Sequence, residues 1–505
     1  MNAALLPLLV AVPLLATGVT APARARVGWA RAILILVLAA NLAAGVALVV
    51  ATADGTVLSE QVGAWPGGIS IPFAADTFAA LMLAVTALLC LVCTTFALMT
   101  ATGGARLLPP LVLALVGGVN GALLTADLFN LFVFIEVMLL PSYGLLLLAR
   151  TGRGTIGQVT GTRLYVAFNL FVSTLFLGGV ALVYGTAGTV NLGELAGAAR
   201  ESGTTAAAVG VCLAALAMKA AVVPVHGWLA RAYPATSPAI TALFSGLHTK
   251  VAIYAIYRIY AVVFDGDTRW LWIGVGVFCA TMLVGVLGAV GESTMRAILA
   301  FHMVSQIGYI LLGVALFTPL GLAAGIFYLL HHMIVKASLF LSAGAVEERH
   351  GTGALDRIRG VARNDPLLVA AFGVAALSLA GIPPFSGFVA KLTLILATLD
   401  AGHVAAAGAA IVVSLLTLLS MTKIWNALVR RPEEIAEDLP SGDSGTALAA
   451  PPVPRVGLRL TLPALALAVV TLGVGLGAEL LYGLSATAAA GLLDTTPYTE
   501  AVLAP

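Results

Sequence analysis

Residues 32–50, AILILVLAANLAAGVALVV, decide the fold class. The run carries no charge, and Asn41 is its only polar side chain. Its apolar residues do not alternate with polar ones, which argues against a barrel strand with one wet face. A hydrocarbon core ~30 Å thick is crossed by ~20 residues of helix, and this run has that length. Residues 77–98 and 458–474 read the same way. Working outward, 60% of the chain is apolar and 10% is charged, where an average soluble domain is roughly 25% charged. A chain of 505 residues with 54 Gly and 23 Pro cannot bury that much apolar surface in one water-soluble core. In lipid the backbone must satisfy its own hydrogen bonds, so the runs are helices.

The pattern predicts an all-α integral membrane protein with about fourteen transmembrane helices, the last over 459–482. Residues 1–19 read as the first helix and not as a cleaved signal, because a basic start and a small-residue cleavage site are both missing. Residues 205–230, 238–262 and 366–400 are long or hold internal Pro or Gly, and are expected to be broken. Seventeen of the twenty Arg fall in alternate loops, from Arg24, Arg26 and Arg31 through Arg357, Arg359 and Arg363 to Arg455 and Arg459. Arg200, Arg258 and Arg269 fall near the other face. The positive-inside rule then puts both termini outside. Residues 431–457, rich in Pro, Gly, Ser and acid, are expected to form a cytoplasmic linker.

The five Lys behave unlike the Arg. Lys219, Lys250, Lys336, Lys391 and Lys423 all fall inside expected spans. Arg keeps its charge under any realistic condition, whereas a desolvated Lys can load and release a proton. A charge at mid-bilayer costs a few kcal/mol, so it is tolerated only with a partner, water or a function. Glu136 is the one acid deep in a span, and Lys219 is its first-choice partner. Such a pair titrates as a coupled unit. Static ion pairing would explain one pair, but it explains a whole set of buried bases less well. His248 lies two residues before Lys250, and His331 and His332 precede Lys336, with His332 one helical turn away on the same face. His302 lies near Ser305 and Gln306. Neutral His passes protons near working pH. The candidate proton relay is therefore Glu136, Lys219, His248, Lys250, His331, His332, Lys336 and Lys391. Lys423, nearer a cytoplasmic end, has no assigned role.

Two of these bases stand beside helix breaks. Pro224 follows Lys219, and Pro383 and Pro384 precede Lys391. Proline removes an intrahelical bond, and freed backbone at membrane depth belongs where protein or a wet cavity covers it. The chain also echoes itself. Thr249-Lys250-Val251 with Arg258 resembles Thr422-Lys423-Ile424 with Arg430, five spans later, and the two breaks are likewise five spans apart. An odd offset gives two inverted five-helix repeats. The expected units are 1–105, three leading helices; 106–265 and 266–430, the repeats; the linker 431–457; and 458–505, the last helix with an outer tail.

Other functions are disfavoured. A net charge of +2 without a basic patch offers nothing to nucleic acid. Cys90 and Cys93 form a C-x-x-C spacing inside an apolar run and read as packing residues. The His lack ligand spacing, so no metal is expected. Nucleotide motifs and nucleophile–base sets are missing, so neither a cofactor nor enzymatic chemistry by this chain is expected.

The motifs Asp127-Leu-Phe-Asn-Leu-Phe-Val-Phe-Ile-Glu136, Met218-Lys219 through Pro224-Val-His-Gly-Trp-Leu229, Ala235-Thr-Ser-Pro-Ala-Ile240, His331-His332 and Gly381-Ile-Pro-Pro-Phe-Ser-Gly-Phe388 together resemble one family. It is the proton-conducting subunit family shared by multisubunit Na+/H+ antiporters of the Mrp type and the antiporter-like L, M and N subunits of respiratory complex I. The Asn-Leu-Phe-Val-Phe run before Glu136 is most similar to the Mrp D branch. The resemblance implies Glu136 and Lys219 as the coupling pair. It implies Lys250 with His331 and His332 as the central relay, and Lys391 as the terminal lysine. It also implies partner subunits of the Mrp A, B, C, E, F and G types, protons and Na+ as the ions, and a bacterial inner membrane. The alternative it leaves is a non-redox, proton-pumping subunit of a complex I-like NADH–quinone oxidoreductase or membrane hydrogenase.

Overall fold

The computed structural model describes residues 2–22, 28–65, 70–148, 156–430 and 455–504. The linker expected over 431–457 lies outside the described residues as far as residue 454, as do Arg24, Arg26, Arg150, Arg153 and Arg431. The leading helices are α1 (Leu8–Thr20), α2 (Gly28–Thr52) and α3 (Thr77–Met99). Then come α4 (Leu108–Leu124), α5 (Leu128–Leu148), α6 (Ile156–Ala187), the short α7 (Ala198–Glu201), α8 (Gly203–Lys219), α9 (Gly227–Ala232) and α10 (Pro238–Phe264). They are followed by α11 (Leu271–Gly291), α12 (Met295–Leu316), α13 (Pro319–His350), α14 (Val361–Asn364), α15 (Pro366–Ala380), α16 (Ser386–Asp400) and α17 (Val404–Val429). The chain closes with α18 (Leu458–Leu476), α19 (Ala478–Leu493) and α20 (Thr496–Leu503).

Eleven described helices are long and apolar enough to cross a membrane, and four shorter apolar helices accompany them. Taking α8 with α9, and α15 with α16, as interrupted spans and α18 with α19 as one bent span recovers the expected fourteen. Two expectations change. Residues 238–262 are not broken, because Pro238 sits in the first turn of α10, where a missing N–H costs nothing. The last helix does not stop near 482. It bends at Gly477 and runs on to Leu493, and α20 follows it.

The helices sort by polarity. The span α10 is wholly buried, and so is α13 from Gly321 to Val346, although they carry His248, Lys250, His331, His332 and Lys336. The more apolar α2 is mostly exposed at its surface. The polar spans therefore form the centre of the bundle and the apolar ones its lipid-facing wall, which minimises polar surface in lipid. One end of the bundle carries a small hairpin of β1 (Leu58–Gln61) and β2 (Pro72–Ala75), paired from Leu58 with Ala75 to Gln61 with Pro72. Gln61 Nε2 donates to the carbonyls of Val502 and Ala504 at 2.8 and 3.0 Å, so the chain's C-terminal end is tied to the hairpin. The opposite end holds Arg296 on Glu347 and the backbone of Val456 and Gly457 on Asp365.

Pairwise packing recurs along the chain. Helix α4 lies on α5, α5 on α6, α6 on α8 and α9, and α8 on α10. In the same order α11 lies on α12, α12 on α13, α13 on α15 and α16, and both of these on α17. The opening crossing is the same in detail. A Cβ at Gly118 would stand 2.6 Å from the Met138 nitrogen, and one at Gly121 would stand 2.2 Å from the Phe134 ring. A Cβ at Gly285 would stand 2.3 Å from the Ser305 nitrogen, and one at Gly288 would stand 2.2 Å from the Phe301 ring. Both crossings use two Gly three apart against a Phe and a second residue four further on. Only Gly permits backbones this close.

Candidate functional site

The candidate bases occupy the buried centre in chain order across α8, α10, α13 and α16. Lys219, Lys250, Lys336 and Lys391 are 2%, 0%, 0% and 4% exposed. Among the described residues the ion pairs are Arg200–Asp265, Arg258–Asp76, Arg269–Asp267 and Arg296–Glu347, and none of them uses a Lys. Neutral oxygens receive the ammonium groups instead.

At one end of the row stands Glu136 on α5. It is partly buried, and its Oε1 has no protein partner. The charge of Glu136 acts on Lys219, but among the described residues the two do not form the direct pair expected from the sequence. Lys219 Nζ donates to Asn169 Oδ1 on α6 at 3.2 Å. Asn169 is orientated by its own helix, because its Nδ2 donates to the Tyr165 carbonyl at 2.9 Å and so turns the oxygen towards the lysine. The Tyr165 hydroxyl lies 3.2 Å from His248 Nδ1 and 3.2 Å from Ser142 Oγ. This polar cluster between Glu136 and α10 was not anticipated. A lone Asn in the apolar run of α6 was the available signal.

At the centre Lys250 donates to Thr249 Oγ1 at 3.0 Å, and Lys336 donates to the Leu299 carbonyl at 2.9 Å. His332 feels the charges of both lysines, is fully buried, and has no protein partner on either ring nitrogen. At the far end His331 Nδ1 lies 2.7 Å from Ser386 Oγ, which is 3.1 Å from Ser378 Oγ. Lys391 donates to the Ala380 carbonyl at 2.9 Å and to Ser414 Oγ at 3.0 Å, with its ammonium 5.5 Å from the Tyr309 ring centre.

The breaks supply part of this chemistry. Ala380 is the last residue of α15, and the turn through Pro383 and Pro384 leaves its carbonyl free for Lys391. At the other break, beyond α8 and through Pro224, the freed Met218 carbonyl accepts from Trp228 Nε1 at 3.2 Å, and the Val223 amide donates to Thr281 Oγ1 at 3.2 Å. Lys219 precedes its break and Lys391 follows its own, so only the second break bonds its lysine directly.

Lys423 stands apart. It is half-buried, and it donates to the carbonyls of Val290 and Glu292 at 2.7 and 2.8 Å, at the C-terminal end of α11. A cation there neutralises the helix dipole. Lys250, its counterpart in the sequence echo, is wholly buried, so the echo does not extend to environment. Among the described residues no group of three or more His, Cys, Asp or Glu could hold a metal ion. Cys90 and Cys93 are free and buried.

The arrangement offers four buried lysines in a row, each held by neutral oxygens, with buried histidines between them. Comparison with known proteins gives it a family. Residues 125–417 match the family model described as NADH:quinone oxidoreductase/Mrp antiporter, transmembrane. The chain belongs to that family. Within the NADH:quinone oxidoreductase/Mrp antiporter family, a curated relative is the D subunit of the Na(+)/H(+) antiporter of Alkalihalophilus pseudofirmus, 38% identical with 88% of each chain covered. A chain in the structure of the Mrp complex from Dietzia sp. is 57% identical, with a TM-score of 0.94 and 99% of each chain covered. A chain of respiratory complex I from Thermus thermophilus shares the fold at a TM-score of 0.78 and 23% identity, covering 97% of this chain and 100% of that one.

Proposed function

We propose that this chain is the proton-carrying, D-type subunit of a multisubunit Na+/H+ antiporter, a transporter and not an enzyme. The observation that carries the reading is the row of four buried Lys, none of which forms an ion pair with a carboxylate among the described residues. A permanent charge so placed would be costly, and a base that exchanges its proton is the reason to retain it. The antiporter names of its relatives, and 57% identity to a chain of an Mrp complex against 23% to one of complex I, favour the antiporter over the redox-complex alternative. Protons pass from Glu136 and Lys219 through His248 and Lys250 to His332 and Lys336, then by His331 to Lys391. Residues 106–265 and 266–430 are the two inverted units, a division supported by the repeated packing order and the matched Gly crossings. The Arg-rich end faces the cytoplasm, both termini lie outside, and the membrane is the bacterial inner membrane. Partner subunits of the A, B, C, E, F and G types complete the complex.

The test is Na+-driven proton flux in vesicles holding the whole complex. Glu136→Gln and Lys219→Ala are expected to abolish it while the complex still assembles. Wild-type flux in either would refute the reading.

A further inference from the structure

One buried histidine and one lysine are left unused by this relay, and a serine lies between them. His302 on α12 is fully buried, and it feels the charges of both Lys336 and Lys391. Its Nε2 lies 2.5 Å from Ser420 Oγ on α17, and its Nδ1 has no protein partner. Ser420 is itself fully buried and can donate to the carbonyls of Thr417 and Leu416 at 3.0 and 3.1 Å. With the serine proton so used, His302 Nε2 carries a proton and gives it to the serine oxygen, and Nδ1 is the bare, basic nitrogen. Three residues beyond Ser420 on the same face of α17 comes Lys423, half-buried and bonded to the end of α11. That end continues into residue 294, which bridges Ala354, and Arg296 lies just beyond. Lys423 therefore stands at the Arg-rich mouth of the bundle. One helical turn of ~5 Å separates it from Ser420, within the reach of a bridging water.

We propose that Lys423, Ser420 and His302 form a side passage by which protons move between the Arg-rich face and the central row, joining it at Lys336 and Lys391. This rests on the proton-carrying reading above and adds a second point of exchange to it. In the outward-to-rim step a proton from the row adds to His302 Nδ1 and makes an imidazolium. The Nε2 proton then leaves to Ser420 Oγ as the serine's own proton passes to water at Lys423. One proton has arrived and one has left, and the ring is in its other tautomer. Water-assisted exchange resets it, the Nδ1 proton leaving to water as Nε2 takes one from water. Transfer inward uses the same groups in reverse order. Lys423 ties α17 to the end of α11 at the mouth, with its ammonium beside the Arg-rich face.

A rival account is a static clip between α12 and α17. The experiment is Na+-driven proton flux of the assembled complex in vesicles, with assembly read by size exclusion. His302→Gln keeps a hydrogen bond to Ser420 but cannot carry a second proton, so a clip tolerates it and a relay does not. The expected result is a loss of at least tenfold in flux for His302→Gln and Ser420→Ala. Ser420→Thr, which keeps the hydroxyl, retains flux, and so does Thr422→Ala on the exposed face of α17. Wild-type flux in His302→Gln, with flux lost in Glu136→Gln, overturns the passage and leaves the main reading intact. Wild-type flux in Glu136→Gln overturns both. Should His302→Gln fail to assemble, the serine pair decides, and full flux in both Ser420 variants overturns the passage.

Discussion

The ion pair between Asp76 and Arg258 is the sharpest energetic test of the fold. Asp76 is the N-cap of α3, accepting from the Ala79 amide at 2.9 Å, and its other oxygen meets Arg258 on α10 at 2.5 Å. The side chains are 7% and 3% exposed. Arg258 Nε and Nη1 have no protein partner, so Asp76 is the carboxylate that compensates the guanidinium. The Tyr498 ring of α20 lies 4.3 Å from it and the Tyr254 ring 5.7 Å. Cation–π contacts contribute up to ~2 kcal/mol each when desolvated, less than an orphaned buried charge costs. Breaking a buried pair by removing one partner costs about 3–5 kcal/mol, while replacing both partners by neutral groups is often close to neutral. Asp76→Asn keeps the helix cap, since Asn caps as well as Asp, so its cost isolates the charge. Asp76→Asn is expected to destabilise by ~3 kcal/mol, and adding Arg258→Met should restore at least ~2 kcal/mol of it. The assay is a double-mutant cycle on the detergent-solubilised complex, using thermal unfolding read by size exclusion and protease sensitivity of α20. Single costs that add to within ~0.5 kcal/mol would refute the reasoning, because they would show that the two groups do not interact.

Other consequences are as direct. Gly285→Ala places a Cβ 2.3 Å from the Ser305 nitrogen, and Gly118→Ala places one 2.6 Å from the Met138 nitrogen. Each should cost ~1–3 kcal/mol of thermal stability with the larger loss at Gly285, whereas Gly291→Ala, in open space, should cost nothing comparable. Asn169→Leu removes the oxygen that receives Lys219, so flux should fall without loss of the assembled complex, while Asn169→Asp should keep a partner for the ammonium. In the loop between α10 and α11, hydrogen bonds from Arg269 hold the Asp267 carboxyl below its ordinary value. A lowered folded-state value gives stability that is present above the ordinary carboxyl range and lost as pH falls through the folded value. Hydrogen exchange of residues 265–270 should therefore quicken only below about pH 4, and an Arg269→Gln variant should lose that dependence.

The parts of this protein legible in its sequence are those in which one residue type is out of place. A Lys in an apolar run identifies itself, and all five lie where the apolar pattern placed them. Pro224 and Pro383 mark breaks, although Pro141 sits inside an unbroken α5 and Pro463 inside α18. Reading a break from Pro over-reached at Pro238, because the first turn of a helix has no bond for Pro to remove. What stayed hidden depends on how helices are rotated about their axes. Glu136 and Lys219 both lie within helices the apolar pattern marks out, but α6 puts Asn169 against the lysine, and nothing local fixes that rotation. The Asp76–Arg258 pair joins residues 182 apart in the chain. Arg258 read as a residue near the outer face, and nothing local pointed from it to Asp76.

The matched crossings also show where the two halves part company. If Phe134 and Met138 on α5 correspond to Phe301 and Ser305 on α12, as their contacts with the paired Gly require, then Glu136 corresponds to Met303. The second half thus has no acid at the position where the first half keeps one. The polar groups next to Met303 are instead His302 and, one turn on, Gln306, which accepts from the Tyr328 hydroxyl. The consequence is chemical. In the first half a proton leaving Lys219 changes the field at a carboxylate, so its two charge states are coupled to Glu136. In the second half Lys391 rests on the Ala380 carbonyl, the Ser414 hydroxyl and the Tyr309 ring, none of which changes charge with it. Its coupling runs to His331 and His302, two bases. A carboxylate favours the charged lysine and a charged neighbouring base opposes it, so the two ends of one row start from different fields, although a proton added beside either lysine disfavours its charge. Met303→Glu would give the second half the carboxylate field of the first. If the asymmetry directs transfer along the row, that variant should lose flux while retaining assembly, and Met303→Gln, of similar size and without charge, should keep it.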